Sequence, residues 1–208
     1  MIKTKDIVHG IIYFIAILLT GLGINAILRS TLGAGAWDTV TNNLSVLAHI
    51  TLGMASAIVN ILILGFLIIY WKQIKFLFVL VPIFGIALAI DFWDIIIFDQ
   101  YYPNGLFLQS IFFFGGTLIL TFGLAFMINT QYPAMVFDEL TLALMKLLKI
   151  KSFFKTRILI ELFAIFLATL FGFLAGIRFG AVSYGSLVLA IIIGPIIAFQ
   201  IKITKRFF

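Results

Sequence analysis

The sequence predicts an all-α integral membrane protein of six transmembrane helices, arranged as two inverted-topology repeats of three spans, and three observations predict it. The first is composition: 63% of the residues are hydrophobic, 11% are charged, and the mean hydropathy is +1.24. A chain of 208 residues has too little interior to hide that much apolar surface from water. The second is the placement of charge. With six spans and an inside N-terminus, all 14 basic residues except Arg29 and Arg178 fall on the cytoplasmic side. The positive-inside rule requires such a bias, and adding or removing one span would destroy it. The third is an internal repeat: the segment Gly23 to Thr41 returns, ungapped, as Gly123 to Thr141. Gly23/Gly123, Ala34/Ala134, Asp38/Asp138 and Thr41/Thr141 are identical, while Ser30/Thr130, Trp37/Phe137 and Val40/Leu140 agree in kind.

The elements follow in order. A spanning helix needs about 20 mainly apolar residues. The apolar runs place spans near 10–28, 52–71, 76–98, 106–128, 157–177 and 184–202, the third admitting Asp91 and Asp94 toward its outer end. In lipid only helices and closed barrels satisfy their own backbone, and long runs without alternation are helical. The first span resembles a signal peptide, with Lys3 and Lys5 before it and Ala34-Gly35-Ala36 after it. Its apolar stretch exceeds a signal core, and the same pattern recurs at 121–141, so it is read as a retained span. After each first span a breaker at Gly33 or Pro133 precedes a short helix, 37–50 and 137–150, too short to cross at about 1.5 Å per residue. Asp138, Thr141, Met145 and Lys149 share one face of the second, which makes it amphipathic from Asp138 onward. These short helices either lie in the interface or re-enter between the spans. Tyr101 to Gly105 is the turn joining repeat one, 7–103, to repeat two, 104–208, within one membrane domain. The second repeat carries extra residues around 172–183. An odd number of spans per half makes the second half cross in the opposite sense, a construction used by transporters.

Polar residues are few enough to weigh singly. Asp38 and Asp138 read either as N-caps or as members of a proton or cation site, because ionisable groups at membrane depth are costly. Trp37, Thr41, Phe137 and Thr141 flank them and join them as candidate pathway residues, together with Arg29, Asn60, Asn129 and Glu161. Arg29 and Asn129 hold equivalent places before the two breakers. Arg29 reads as an end-anchor whose charge snorkels, or as a partner of Asp38. Glu161 pairs with Arg157 four residues earlier, and Asn60 offers a hydrogen bond between helices. Asp91 and Asp94 are read as facing water. Gly21, Gly23, Gly115, Gly116, Gly172 and Gly176 read as close-packing positions, and Trp71, Trp93, Tyr101 and Tyr102 as interfacial aromatics. His9 and His49 stand alone, no Cys is present, and no hydrolase, metalloprotease or nucleotide-binding spacing occurs, so neither an enzyme nor a cofactor is expected.

The run Gly21-Leu22-Gly23, then Arg29-Ser30-Thr31-Leu32-Gly33-Ala34-Gly35-Ala36-Trp37-Asp38, with Gly53 opening the next span and Gly194-Pro195 later, resembles the YczE/YyaS/YitT family of bacterial integral membrane proteins. The likeness covers most of the chain, with Ala36 where a proline often precedes the Trp and a more divergent second half. It implies a cytoplasmic-membrane protein, either a permease or an accessory to secondary-metabolite production, and no particular substrate.

Two functions are therefore expected. One is a small transporter coupled to protons or cations through the Asp residues. The other is a non-transporting accessory or substrate-capture subunit of a larger complex. The expected partners are the lipid bilayer, a small solute or ion, and a second membrane protein or copy of the chain; nucleic acid is not among them.

Overall fold

The computed structural model describes residues 4–99, 101–133 and 135–208, without the side chains of residues 4–6, 138 and 207. Among the described residues there are eight α-helices and no strand. They are α1 (Thr4–Arg29), α2 (Ala36–Ala48), α3 (Leu52–Trp71), α4 (Leu80–Asp91), α5 (Leu106–Asn129), α6 (Phe137–Leu147), α7 (Phe153–Leu174) and α8 (Tyr184–Thr204). A 3-10 segment, Ile74–Val79, leads into α4, and a π-helical segment, Phe92–Phe98, extends it. Six helical stretches are long and apolar enough to cross a membrane: Ile7–Arg29, Leu52–Trp71, Ile74–Phe98, Leu106–Asn129, Phe153–Leu174 and Tyr184–Thr204. The sequence places five of them within three residues at either end. The fifth begins four residues earlier than expected, because the Ser152 hydroxyl accepts the Lys155 N–H and starts the helix there.

The breakers stop α1 and α5 in the same way. The Ser30 hydroxyl donates to the Ile27 carbonyl and accepts the Leu32 N–H; the Thr130 hydroxyl donates to the Met127 carbonyl and accepts the Tyr132 N–H. Between those bonds Thr31 and Gln131 turn left-handed, at φ 60° and 62°. The short helices also end alike, with His49 and Lys149 at φ 54° and 55°. A hydroxyl one residue before a left-handed turn is thus enough to end a helix that hydrophobicity alone would prolong.

Two apolar cores form, and each draws on both halves of the chain. One joins α1, α4, α5 and α8 around Ile24, Ile27, Ile90, Leu120, Met127 and Leu189. The other joins α2, α3, α6 and α7 around Val40, Leu64, Leu67, Leu140, Ala164 and Ala168. In the first, α1 and α5 run antiparallel in close contact: Gly23 lies against Leu120, Gly123 against Thr20 and Ala16, and Gly116 against Ala26 and Ile27. Lipid gives helices no hydrophobic reason to associate, so close backbone approach at small residues supplies the attraction. Gly21, Gly23, Gly116 and Gly172 occupy such contacts, whereas Gly115 and Gly176 have nothing within 4 Å of a would-be side chain.

Gly23→Val and Gly123→Val would each drive a side chain into the opposing helix, at about 1–3 kcal/mol or more. Gly115→Val meets open space. Thermal unfolding in detergent should show the first two losing several degrees and the third unchanged.

Candidate functional site

The two short helices meet at their first turns. The rings of Trp37 and Phe137 stack with centroids 5.1 Å apart and planes 27° from parallel. Trp37 Nε1 is buried there without a hydrogen-bond partner among the described residues. Asp38 follows Trp37, and its Oδ2 folds back over Gly35, where a side-chain carbon would lie 2.7 Å away. Glycine at 35 is what leaves room for that carboxylate.

Asp38 is not the N-cap considered from sequence. The cap position is Gly35, no side chain caps α2, and Asp38 is its third residue. Likewise α6 starts at Phe137, one residue before Asp138, with Val136 in the cap position and no side-chain cap. The Asp138 side chain and Ala134 lie outside the described residues. The Asp38 carboxylate makes no hydrogen bond or ion pair among the described residues, but the Glu161 charge of α7 acts on it electrostatically. Burial, and after it the Glu161 charge, push the Asp38 carboxyl up to about 7. Glu161 is itself held by Arg157, Nε to Oε1 2.9 Å, the i, i+4 pair expected from sequence. Thr41 and Thr141 are buried and turn their hydroxyls onto their own helices, to the Asp38 and Phe137 carbonyls, each at 2.9 Å.

Three expectations are corrected. Arg29 neither snorkels nor pairs with Asp38. It is 6% exposed and binds Asp94 (Nη2 to Oδ1 2.6 Å) and the Tyr101 carbonyl (2.8 Å), with the Tyr102 ring 4.6 Å from its guanidinium carbon. A buried guanidinium takes a carboxylate when the fold offers one, and the π-helical segment brings Asp94 there. Asp91 is also engaged: its carboxylate accepts the Thr51 hydroxyl and the Gly53 N–H, both at 2.7 Å, and so caps α3 from α4. Asn60 does not bond across helices; its amide donates to the Ser56 carbonyl one turn back, at 2.9 Å. Asn129 ties α5 to the end of α8, donating to the Ile201 carbonyl and the Thr204 hydroxyl.

Asn43 went unnoticed in the sequence. Fully buried, it donates to the Ala168 and Phe179 carbonyls and accepts the Ala181 N–H, fastening α2 to α7 and to the loop after it. The signal available was a pair of adjacent asparagines in an apolar chain, together with the extra residues of the second half. Asn43 meets Ala168 while the charge of Glu161, seven residues earlier, acts on Asp38, so α2 and α7 run in the same direction. A cavity of about 190 Å³ opens beside them, lined by Leu28, Thr31, Gly33, Asn42, Tyr102, Gly180 and Ala181. Ser56, Asn60, Pro82, Ile83, Ile86 and Met135 line a second, smaller one.

The fold and site define a multi-pass helical membrane protein whose short helices meet beside a carboxylate that has no partner among the described residues. The family that matches, over residues 7–202, is described as a family of unknown function, DUF6198, and the chain belongs to it. The chain is also 26% identical over 196 residues to the uncharacterized protein YyaS of Bacillus subtilis (strain 168), covering 94% of both, which bears out the family resemblance seen in the motifs. No solved structure matches.

Asp94→Ala leaves Arg29 buried without its counter-ion and should cost about 3–5 kcal/mol, read as a large fall in melting temperature. Asp38 gives a pH signature. Folded protein keeps its proton up to about pH 7, whereas the unfolded chain releases it near 3.8. Its contribution to stability is therefore full below that lower value and is lost as pH rises to about 7. Asp38→Asn should flatten the melting temperature across that interval and raise it at pH 8 relative to the parent.

Proposed function

We propose that this protein is a small secondary transporter of the bacterial cytoplasmic membrane, with both termini cytoplasmic. It is built from two inverted-topology repeats, 7–103 and 104–208, and moves solute past the junction of their short helices. The observation that carries the reading is the Trp37–Phe137 stack, which sets equivalent first turns from the two halves against one another with Asp38 beside them. The antiparallel contact of α1 with α5, in which Gly23/Leu120 and Gly123/Thr20 are related by a shift of one hundred residues, supports a two-fold relation between the halves. Equivalent geometry at the two breakers and at the ends of the short helices supports it further.

The path follows the polar side of α2. Asp38, Thr41, Asn42 and Ser45 recur at i, i+3, i+4 and i+7, with Asn42 lining the larger cavity and Asp38 a turn below it. No basic residue lies on α2, and Asp38 already occupies the positive end of the helix, so the cargo is neutral or cationic. Asp38, which changes protonation near neutral pH, is the coupling group.

Single cysteines at Asn42 and Ser56 test this in the cysteine-free chain, with Asn104→Cys as the exposed control. Alternating access expects a membrane-impermeant thiol reagent to reach Asn42→Cys from the control's face and Ser56→Cys from the opposite face. Asp38→Asn should change both labelling rates severalfold. If Ser56→Cys reacts from neither face, transport by this route is wrong and the accessory-subunit reading takes its place.

A further inference from the structure

At the end of the bundle where α3 stops and α7 begins, folding gathers lysines that the sequence keeps far apart. Lys146, in the last turn of α6, places its Nζ 5.0 Å from the ring centroid of Trp71, the last residue of α3. The next residue, Lys72, turns left-handed at φ 52° and ends α3, and Lys75 follows as the second residue of the next segment. Lys149, three residues beyond Lys146, is left-handed as well, at φ 55°. All four lysines are exposed, and none has an ion-pair partner among the described residues. On the same segments Ile74, Phe78, Leu147 and Phe154 are exposed at 77%, 69%, 52% and 68%, so apolar side chains flank the lysines along the chain.

Four like charges without an ion-pair partner among the described residues repel one another. A fold that nevertheless draws Lys146 onto Trp71, beside Lys72, has made a place for an anion. The apolar flanks restrict which anion. A free phosphate would gain nothing from Ile74, Phe78 and Phe154, whereas the acyl chains of a lipid would lie along them while its phosphate met the ammonium groups. We infer that the junction of α3 and α6 is a binding site for an anionic phospholipid headgroup, with Lys146 and Lys72 as its principal contacts and Trp71 as its floor. The site takes one contact from each half of the chain. A bound headgroup would hold the end of α6 against α3 and so steady the second short helix within the core that α2, α3, α6 and α7 form.

Native mass spectrometry of the full chain, purified in detergent and offered phosphatidylglycerol or phosphatidylcholine, tests the inference. The parent should retain one phosphatidylglycerol in preference to phosphatidylcholine. Lys72→Gln with Lys146→Gln should lower that retention about thirtyfold, the effect of losing two lysines beside a headgroup. Lys146→Arg, which keeps charge and ring contact, should retain the lipid, and Lys205→Gln with Arg206→Gln should leave it unchanged. Equal losses from the two double variants would overturn the site in favour of diffuse attraction, as would the absence of any headgroup preference. Displacement of the lipid by millimolar inorganic phosphate would overturn it in favour of a site for the free anion.

Discussion

A broken helix leaves peptide groups without helical partners, and this chain breaks two of its long apolar helices. Most of its tertiary arrangement can be understood as cover for those breaks. At the first, the Leu32 carbonyl accepts the Gly185 N–H and the Ala34 N–H donates to Ser186 Oγ, so the start of α8 must lie across residues 32–34. Gly33, at φ 119°, and Gly185 are the positions that permit that approach, since side chains there would collide with Ser186 and Leu32. At the second break, Tyr13 reaches across from α1 to give its hydroxyl proton to the Pro133 carbonyl at 2.6 Å. Each break is therefore closed by a helix from the opposite half of the chain. That reciprocity accounts for two cores that each combine both halves.

The same constraint governs charge. Arg29 is neutralised by Asp94 and two backbone carbonyls, and Glu161 by Arg157. Asp91 is consumed in capping α3. Against that background Asp38 stands apart, because among the described residues its carboxylate has neither a cation nor a hydrogen bond, while the Glu161 charge acts on it. A group left so costly beside the paired charges of Arg29, Asp91 and Glu161 is a functional candidate on physical grounds. The halves differ in how they hold their short helices. Asn43 locks α2 to α7 and to residues 179–181, whereas its counterpart in α6 is Ala143, with nothing to donate. The extra residues of the second half thus serve to anchor the short helix of the first.

Much of this was legible in the sequence, because hydropathy and helix breaking are local. Runs of apolar residues specify spans wherever lipid is the solvent, and Ser30 and Thr130 end their helices through bonds to residues three back and two ahead. The Arg157–Glu161 pair was readable for the same reason, since the two lie one helical turn apart. Arg29 was misread because its partner lies 65 residues away, in a π-helical segment that hydropathy does not distinguish from ordinary helix. Asn60 was misread because a buried amide in a helix can satisfy itself on its own preceding turn.

By itself, then, the sequence determined the six apolar helices, the two breaks between them, the two short helices that follow and the polar residues held at each. These depend on interactions within a few residues and on the free energy of transferring side chains to lipid, both of which composition and spacing encode. Only the tertiary structure decided that Trp37 meets Phe137, that Asp94 takes Arg29, that the Glu161 charge acts on Asp38 and that Lys146 lies over Trp71. Those pairings depend on which helix covers which break. That choice is made by the packing of glycine-lined surfaces and the disposal of orphaned backbone groups across the whole bundle.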